Sequence, residues 1–152
     1  MTDYRMIIEQ MKALVETDNW YVPVMSNISA LIYDSLEDLN WAGFYLVKND
    51  ELVLGPFQGK VACIHIPFGK GVCGTAFAQD KTQLVENVHD FPGHIACDSA
   101  SNSEIVVPVH KDGKVAAVLD IDSPLVGRFT EEDRKGLEML VQELEKRISF
   151  DK

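Results

Sequence analysis

Residues 104–122 read EIVVPVHKDGKVAAVLDID, two apolar, β-branched runs on either side of Lys111-Asp112-Gly113. Such runs flanking a short polar break with a glycine form a β-hairpin, and a tight hairpin makes its strands antiparallel. Two registers are open to it. A two-residue Asp112-Gly113 turn pairs Lys111 with Lys114 and sets Glu104 opposite Ile121, on the face away from Asp120 and Asp122. A three-residue Lys111-Asp112-Gly113 loop, with Gly113 left-handed in a G1 bulge, pairs His110 with Lys114 and sets Glu104 opposite Asp120. Glycine at the third loop position favours the three-residue loop, which is the register expected here. A further bulge nearer Glu104 is the other route to the same contact.

The rest of the chain agrees with antiparallel pairing. WAGFYLV (41–47), ELVLGPF (51–57), ACIHIPF (62–68) and TQLVE (82–86) are short β-rich runs, and Asn49-Asp50 is a second turn of hairpin length. Before them, Ile7, Met11 and Leu14 recur at helical spacing, followed by a second stripe through Met25, Ile28, Ile32 and Leu36. After them, Thr130 stands three residues before Asp133 as a capping box. Leu137, Leu140, Val141, Leu144 and Ile148 then form one apolar stripe. The fold class is α+β: a central, mostly antiparallel sheet of five or six strands, with helices from both ends of the chain packed on one face.

One motif argues for a different fold. In FGKGVCGTAFA (68–78), Gly69, Gly71 and Gly74 spell G-x-G-x-x-G, the pattern of a dinucleotide-binding turn. That turn opens a long crossover helix leading to a parallel strand. Here the helical stretch from Val72 to Ala78 is too short, Pro67 interrupts the preceding strand, and Glu86 is the only candidate for the distal acidic residue. The glycines therefore read as a turn and a helix start rather than an NAD site.

Composition narrows the function. The 152 residues are 46% hydrophobic and 25% charged, ordinary for a globular chain forming one domain. With 24 acidic against 14 basic residues, the net charge of -10 repels phosphate backbones and argues against nucleic acid. No stretch has the apolar length of a signal core or a membrane span, so a cytoplasmic protein is expected. Small molecules and protein partners are the remaining classes.

Three cysteines, Cys63, Cys73 and Cys97, stand 10 and 24 positions apart without a C-x-x-C. Free cysteines pack as small hydrophobes, and Cys63 and Cys73, inside apolar runs, read as buried inert thiols. Cys97 differs. It lies in HDFPGHIACDSASNSE, a long polar loop of the kind that carries function, where a thiol is accessible and therefore reactive. Zinc is the competing reading, with Cys63, His65, Cys73, His94 and Cys97 as ligands, but their spacing matches no paired zinc pattern.

Carboxylates form a second group. Asp120 and Asp122, two apart in an apolar strand, share a face, and Glu104 opens the neighbouring strand. Carboxylates in a buried strand need a partner, and no nearby basic residue supplies one, so a cationic or hydrogen-bonding ligand fits. Trp41 and Tyr45 alternate with Gly43, giving two rings on one face with a gap between them: core packing or a small apolar pocket.

The cysteine spacing, W-x-G-F-Y, GKGVCGTA, HIACDSASNSEIVVPV and VLDIDSP together resemble the free methionine-(R)-sulfoxide reductases, enzymes of the GAF fold, over residues 20–148. The resemblance implies a single GAF-like domain over 1–152 with about six strands. It implies reduction of free L-methionine-(R)-S-oxide, with Cys97 catalytic, Cys63 resolving and Cys73 auxiliary. Glu104, Asp120 and Asp122 would hold the substrate, and Trp41 and Tyr45 would line the pocket for its methyl end. A Cys97 sulfenic acid would give a Cys63–Cys97 disulfide recycled by thioredoxin, with no cofactor or metal and with the chain as a homodimer. Crowding the three carboxylates would raise the pKa of one, which then serves as a proton donor while another accepts the substrate ammonium. The alternative is a GAF ligand-binding regulatory module without chemistry.

Overall fold

The computed structural model describes residues 2–94 and 100–151. Helices α1 (Tyr4–Thr17) and α2 (Tyr21–Ser35) lead into β1 (Trp41–Lys48), β2 (Glu51–Gly59) and β3 (His65–Pro67). Helix α3 (Gly71–Gln79), β4 (Gln83–Val85), β5 (Ser103–Lys111), β6 (Lys114–Ser123) and α4 (Glu131–Glu145) follow. The strands form one six-stranded sheet in the order β3-β2-β1-β6-β5-β4, and every neighbouring pair is antiparallel. The α+β reading of the sequence stands.

Local signals set the element ends. The Asp3 carboxylate accepts from the Met6 N–H at the start of α1. At α4, Thr130 and Asp133 cap each other's backbone N–H groups reciprocally. Asn49 and Asp50, both at positive φ, make the tight turn that pairs Lys48 with Glu51.

Helices α2 and α4 lie on one face of the sheet, and α1 packs across both. The main core sits beneath them, with Met11, Ile28, Ile32, Phe44, Ile105, Leu119, Ile121, Leu137, Leu140 and Leu144 fully buried. In α1 the buried positions are Ile7, Ile8, Met11 and Val15, while Leu14 of the expected stripe is half-buried. Among the described residues no helix is long and apolar enough to cross a membrane.

Among the described residues the α-helix on the opposite face is α3, nine residues long. It is too short for a crossover, and β4 after it pairs antiparallel with β5, so the three glycines do not open a dinucleotide-binding unit. Gly71 has φ +64°, and a Cβ on Gly74 would lie 2.6 Å from the Pro67 carbonyl oxygen; the motif makes a turn and a close helix–strand contact. The strand expected at 62–68 shrinks to His65–Pro67. In the residues before it, the Lys60 and Cys63 carbonyls accept from side chains of β1, with consequences for the site.

Candidate active site

The β5–β6 hairpin sets the site, and its register corrects the expected one. Asp112 and Gly113 both have positive φ, 55° and 78°, so the turn has two residues and Lys111 pairs with Lys114. His110 pairs with Val115, but Val109 pairs with Ala117, which leaves Ala116 as a bulge. The extra residue shifts the rest of the ladder by one. Glu104 consequently stands opposite Asp122, not Asp120, and shares a face with both aspartates. The acidic cluster exists, reached through the bulge rather than through a three-residue loop.

Three cross-strand rows then run over β5, β6 and β1. Glu104, Asp122 and Trp41 form the first; Val106, Asp120 and Gly43 the second; Pro108, Val118 and Tyr45 the third. The gap expected at Gly43 is filled, because a Cβ there would collide with Phe57 and with the Trp41 ring. Trp41 stacks between Phe57 and Tyr45, with centroids 5.1 and 5.9 Å apart. The rings form a continuous apolar wall beside the carboxyls.

Both polar ends of this wall grip the β2–β3 connection. The Trp41 Nε1–H donates to the Lys60 carbonyl at 3.1 Å, and the Tyr45 hydroxyl donates to the Cys63 carbonyl at 2.8 Å. Burial, with Asp120 nearby, pushes the Tyr45 phenol far up, so it remains a donor. Cys63 is thus held beside the cavity. It is half-buried and disulfide-bonded, which overturns its reading as a buried inert thiol. Its apolar run misleads because Cys63 precedes the strand. Cys97, with residues 95–99, lies outside the described residues.

The N-terminal turn of α3 closes the cavity from above. It brings in Cys73, a free thiol that is 4% exposed. Ligand atoms of Cys73, Glu104 and Asp120 lie within 4.8 Å of one another, a spacing that could hold a cation, whether an ammonium group or a metal ion. The zinc set weighed from sequence is not assembled this way, since His65 is exposed and pairs with Glu51 at 3.1 Å.

Electrostatics make this cluster a proton store. Burial, and then the charges of Asp120 and Asp122, push the Glu104 carboxyl well above its usual range. Burial likewise raises Asp120, while hydrogen bonds from Glu104, Cys73 and Asp122 oppose it. Burial and the same acids push the Cys73 thiol well up, so it stays protonated near neutral pH. Asp120 is 5% exposed, and its Oδ1 has no hydrogen-bond partner among the described residues.

A GAF domain family model matches residues 18–148. Free methionine-R-sulfoxide reductase of Escherichia coli K12 is 57% identical over 134 residues, 88% of this chain and 81% of its own. The chain belongs to the free methionine-R-sulfoxide reductase family of GAF domains. Among solved structures, fRMsr of Staphylococcus aureus in reduced form superposes with a TM-score of 0.95 at 50% identity, over 98% of this chain and 97% of its own. The same protein in complex with substrate gives 0.93 at the same identity and coverage.

Of the residues singled out by resemblance to this family, Trp41, Tyr45, Cys73, Glu104, Asp120 and Asp122 line one cavity, with Cys63 beside it. Sequence reasoning missed Ile66, Lys70, Val72 and Ser101 on its walls. Lys70 lines the cavity through the approach of α3, which leaves no local sequence signal, but it is exposed and makes no ion pair with the acids among the described residues. His94, weighed only as a zinc ligand, also lines the cavity, and burial beside His89 lowers its pKa, keeping it neutral.

Proposed function

We propose that the chain reduces free L-methionine-(R)-S-oxide to L-methionine by thiol chemistry in this cavity. One observation carries the reading. Three carboxyl side chains are buried together against an aromatic wall, and the same wall holds a disulfide-bonded cysteine by its carbonyl. Among the described residues neither Glu104 nor Asp120 forms an ion pair, so an arriving ammonium relieves a buried cluster that is otherwise costly. The names of the relatives point to the same substrate.

In this reading the substrate ammonium sits among Glu104, Asp120 and Asp122, and the S-methyl group lies on Trp41 and Tyr45. The Cys97 thiolate attacks the sulfoxide sulfur while a protonated carboxyl, its pKa held up by burial and like charge, gives its proton to the sulfoxide oxygen. Oxygen passes to the Cys97 sulfur as a sulfenic acid and methionine leaves as the thioether. The Cys63 thiol then attacks that sulfur, water departs, and the Cys63–Cys97 disulfide remains. Thioredoxin reduces it, which suits a cytoplasmic enzyme. Cys73, buried with a raised pKa and outside the disulfide, stays an auxiliary thiol beside the carboxyls.

The test is a thiol count and a methionine assay after mixing reduced protein with separate R and S epimers. Two thiols should disappear per methionine released from the R epimer. Cys97→Ser should release none, and Cys63→Ser one equivalent without cycling. An N-acetylated substrate, lacking the ammonium, should turn over at least about tenfold more slowly. Unchanged thiol counts would make the chain a ligand-binding GAF module, and normal steady-state turnover in Cys97→Ser would overturn the mechanism.

A further inference from the structure

The disulfide-bonded Cys63 is flanked by two of the most exposed large apolar side chains among the described residues, Val61 at 87% and Ile64 at 58%. They are not loose ends. The Lys60, Cys63 and Ile64 carbonyls accept from Trp41 Nε1, the Tyr45 hydroxyl and the Leu54 N–H, so the backbone is pinned on both sides of each. Ala62 lines the cavity, whereas Val61 and Ile64 are turned to solvent. The pinned segment holds their apolar surface in water beside a redox-active sulfur.

We propose that Val61 and Ile64 form the docking surface for a dithiol protein reductant of the thioredoxin kind, an inference that rests on the reductase reading above. Disulfide exchange requires a third sulfur to approach in line with the S–S bond, so the partner's surface around its thiol must press on whatever flanks the attacked atom. The residues on either side of Cys63, Val61, Ala62 and Ile64, are uncharged; the nearest titratable side chains of the segment are His65, which is paired with Glu51, and Lys60. A partner with an apolar collar around its thiol buries this surface, and a charged collar would be desolvated without compensation. The partner's thiolate attacks Sγ of Cys63, forming a mixed disulfide and expelling the other half as a thiolate. The partner's second thiol, deprotonated, then attacks the mixed disulfide, frees Cys63 and leaves the partner oxidised. Two electrons pass to the enzyme. A small dithiol such as dithiothreitol needs no docking surface.

The experiment compares oxidised wild type with a Val61→Asp/Ile64→Asp double variant, following thiol appearance after mixing with reduced thioredoxin or with dithiothreitol, without methionine sulfoxide. The thioredoxin rate constant should fall about tenfold or more, with the dithiothreitol rate unchanged to within about twofold. A Val61→Leu/Ile64→Leu variant should keep the wild-type thioredoxin rate. Equal thioredoxin rates in wild type and the Asp variant, or equal slowing with both reductants, would overturn the proposal. A wild-type protein that yields its disulfide to thioredoxin yet reduces no methionine sulfoxide would overturn the reductase reading and leave the docking surface standing.

Discussion

Strands β5 and β6 present two faces buried to nearly the same extent and built for opposite ends. Ile105, Val107, Val109, Leu119 and Ile121 face the helices and are 0–3% exposed; Glu104, Asp120 and Asp122 face the cavity and are 5–8% exposed. The helix face packs into one apolar core with side chains of α1, α2 and α4, so its burial stabilises the fold. The cavity face meets other acids, a protonated thiol and one short helix, so its burial costs stability and raises proton affinity. Depth alone therefore says little about a residue's contribution; what it is buried against decides the sign.

Substitutions on the two faces test this contrast. Phe44, fully buried on the helix face, should lose about 3–5 kcal/mol of stability on change to Ala, read as a lower urea midpoint at constant slope. Asp120→Asn should do the reverse, leaving the urea midpoint unchanged or higher while kcat/KM for free methionine-(R)-sulfoxide falls about 10²-fold. A destabilised Asp120→Asn would mean that the cavity face contributes stability after all.

Glu104 gives a sharper test through pH. Its folded pKa is raised, by burial first and then by Asp120 and Asp122, so the folded state retains a proton that the unfolded chain releases. Its contribution is fully present below about pH 4, the ordinary carboxyl range, and is lost as pH rises through the raised value. Glu104→Gln removes this loss. The wild type should fall in stability relative to the variant between about pH 5 and pH 8, measured by urea unfolding; parallel curves would contradict a raised Glu104. The smallest effect is expected from deleting Ala116. The deletion closes the bulge and keeps Glu104 opposite Asp122, so activity should stay within about threefold of wild type.

Much of this was legible in the sequence wherever the signal was local. The Thr130–Asp133 box, the stripes of α2 and α4 and the positions of the two hairpin turns are encoded within a few residues, and period-2 alternation alone placed Asp120 and Asp122 on one face. The hairpin register was misread because a bulge at Ala116 leaves no mark: alanine is small enough for either face, and Gly113 suits both turns. Cys63 was misread because hydrophobicity cannot tell a strand from the pinned segment before one. Lys70, Ser101 and Ile66 reach the cavity from separate elements, a juxtaposition that no spacing along the chain encodes.

The bulge at Ala116 works as a parity bit. If Ala116 were paired in the ladder behind the two-residue turn, Glu104 would meet Ile121, and an acid would land on the oily side. Leaving Ala116 out of the pairing keeps Glu104 with Asp122. A three-residue loop would restore the face as well, but with the strands slid so that Glu104 meets Asp120. The choice of turn and the choice of carboxyl partner are thus one arithmetic decision, and related chains can trade loop length against a bulge while conserving the face, provided the total keeps its parity.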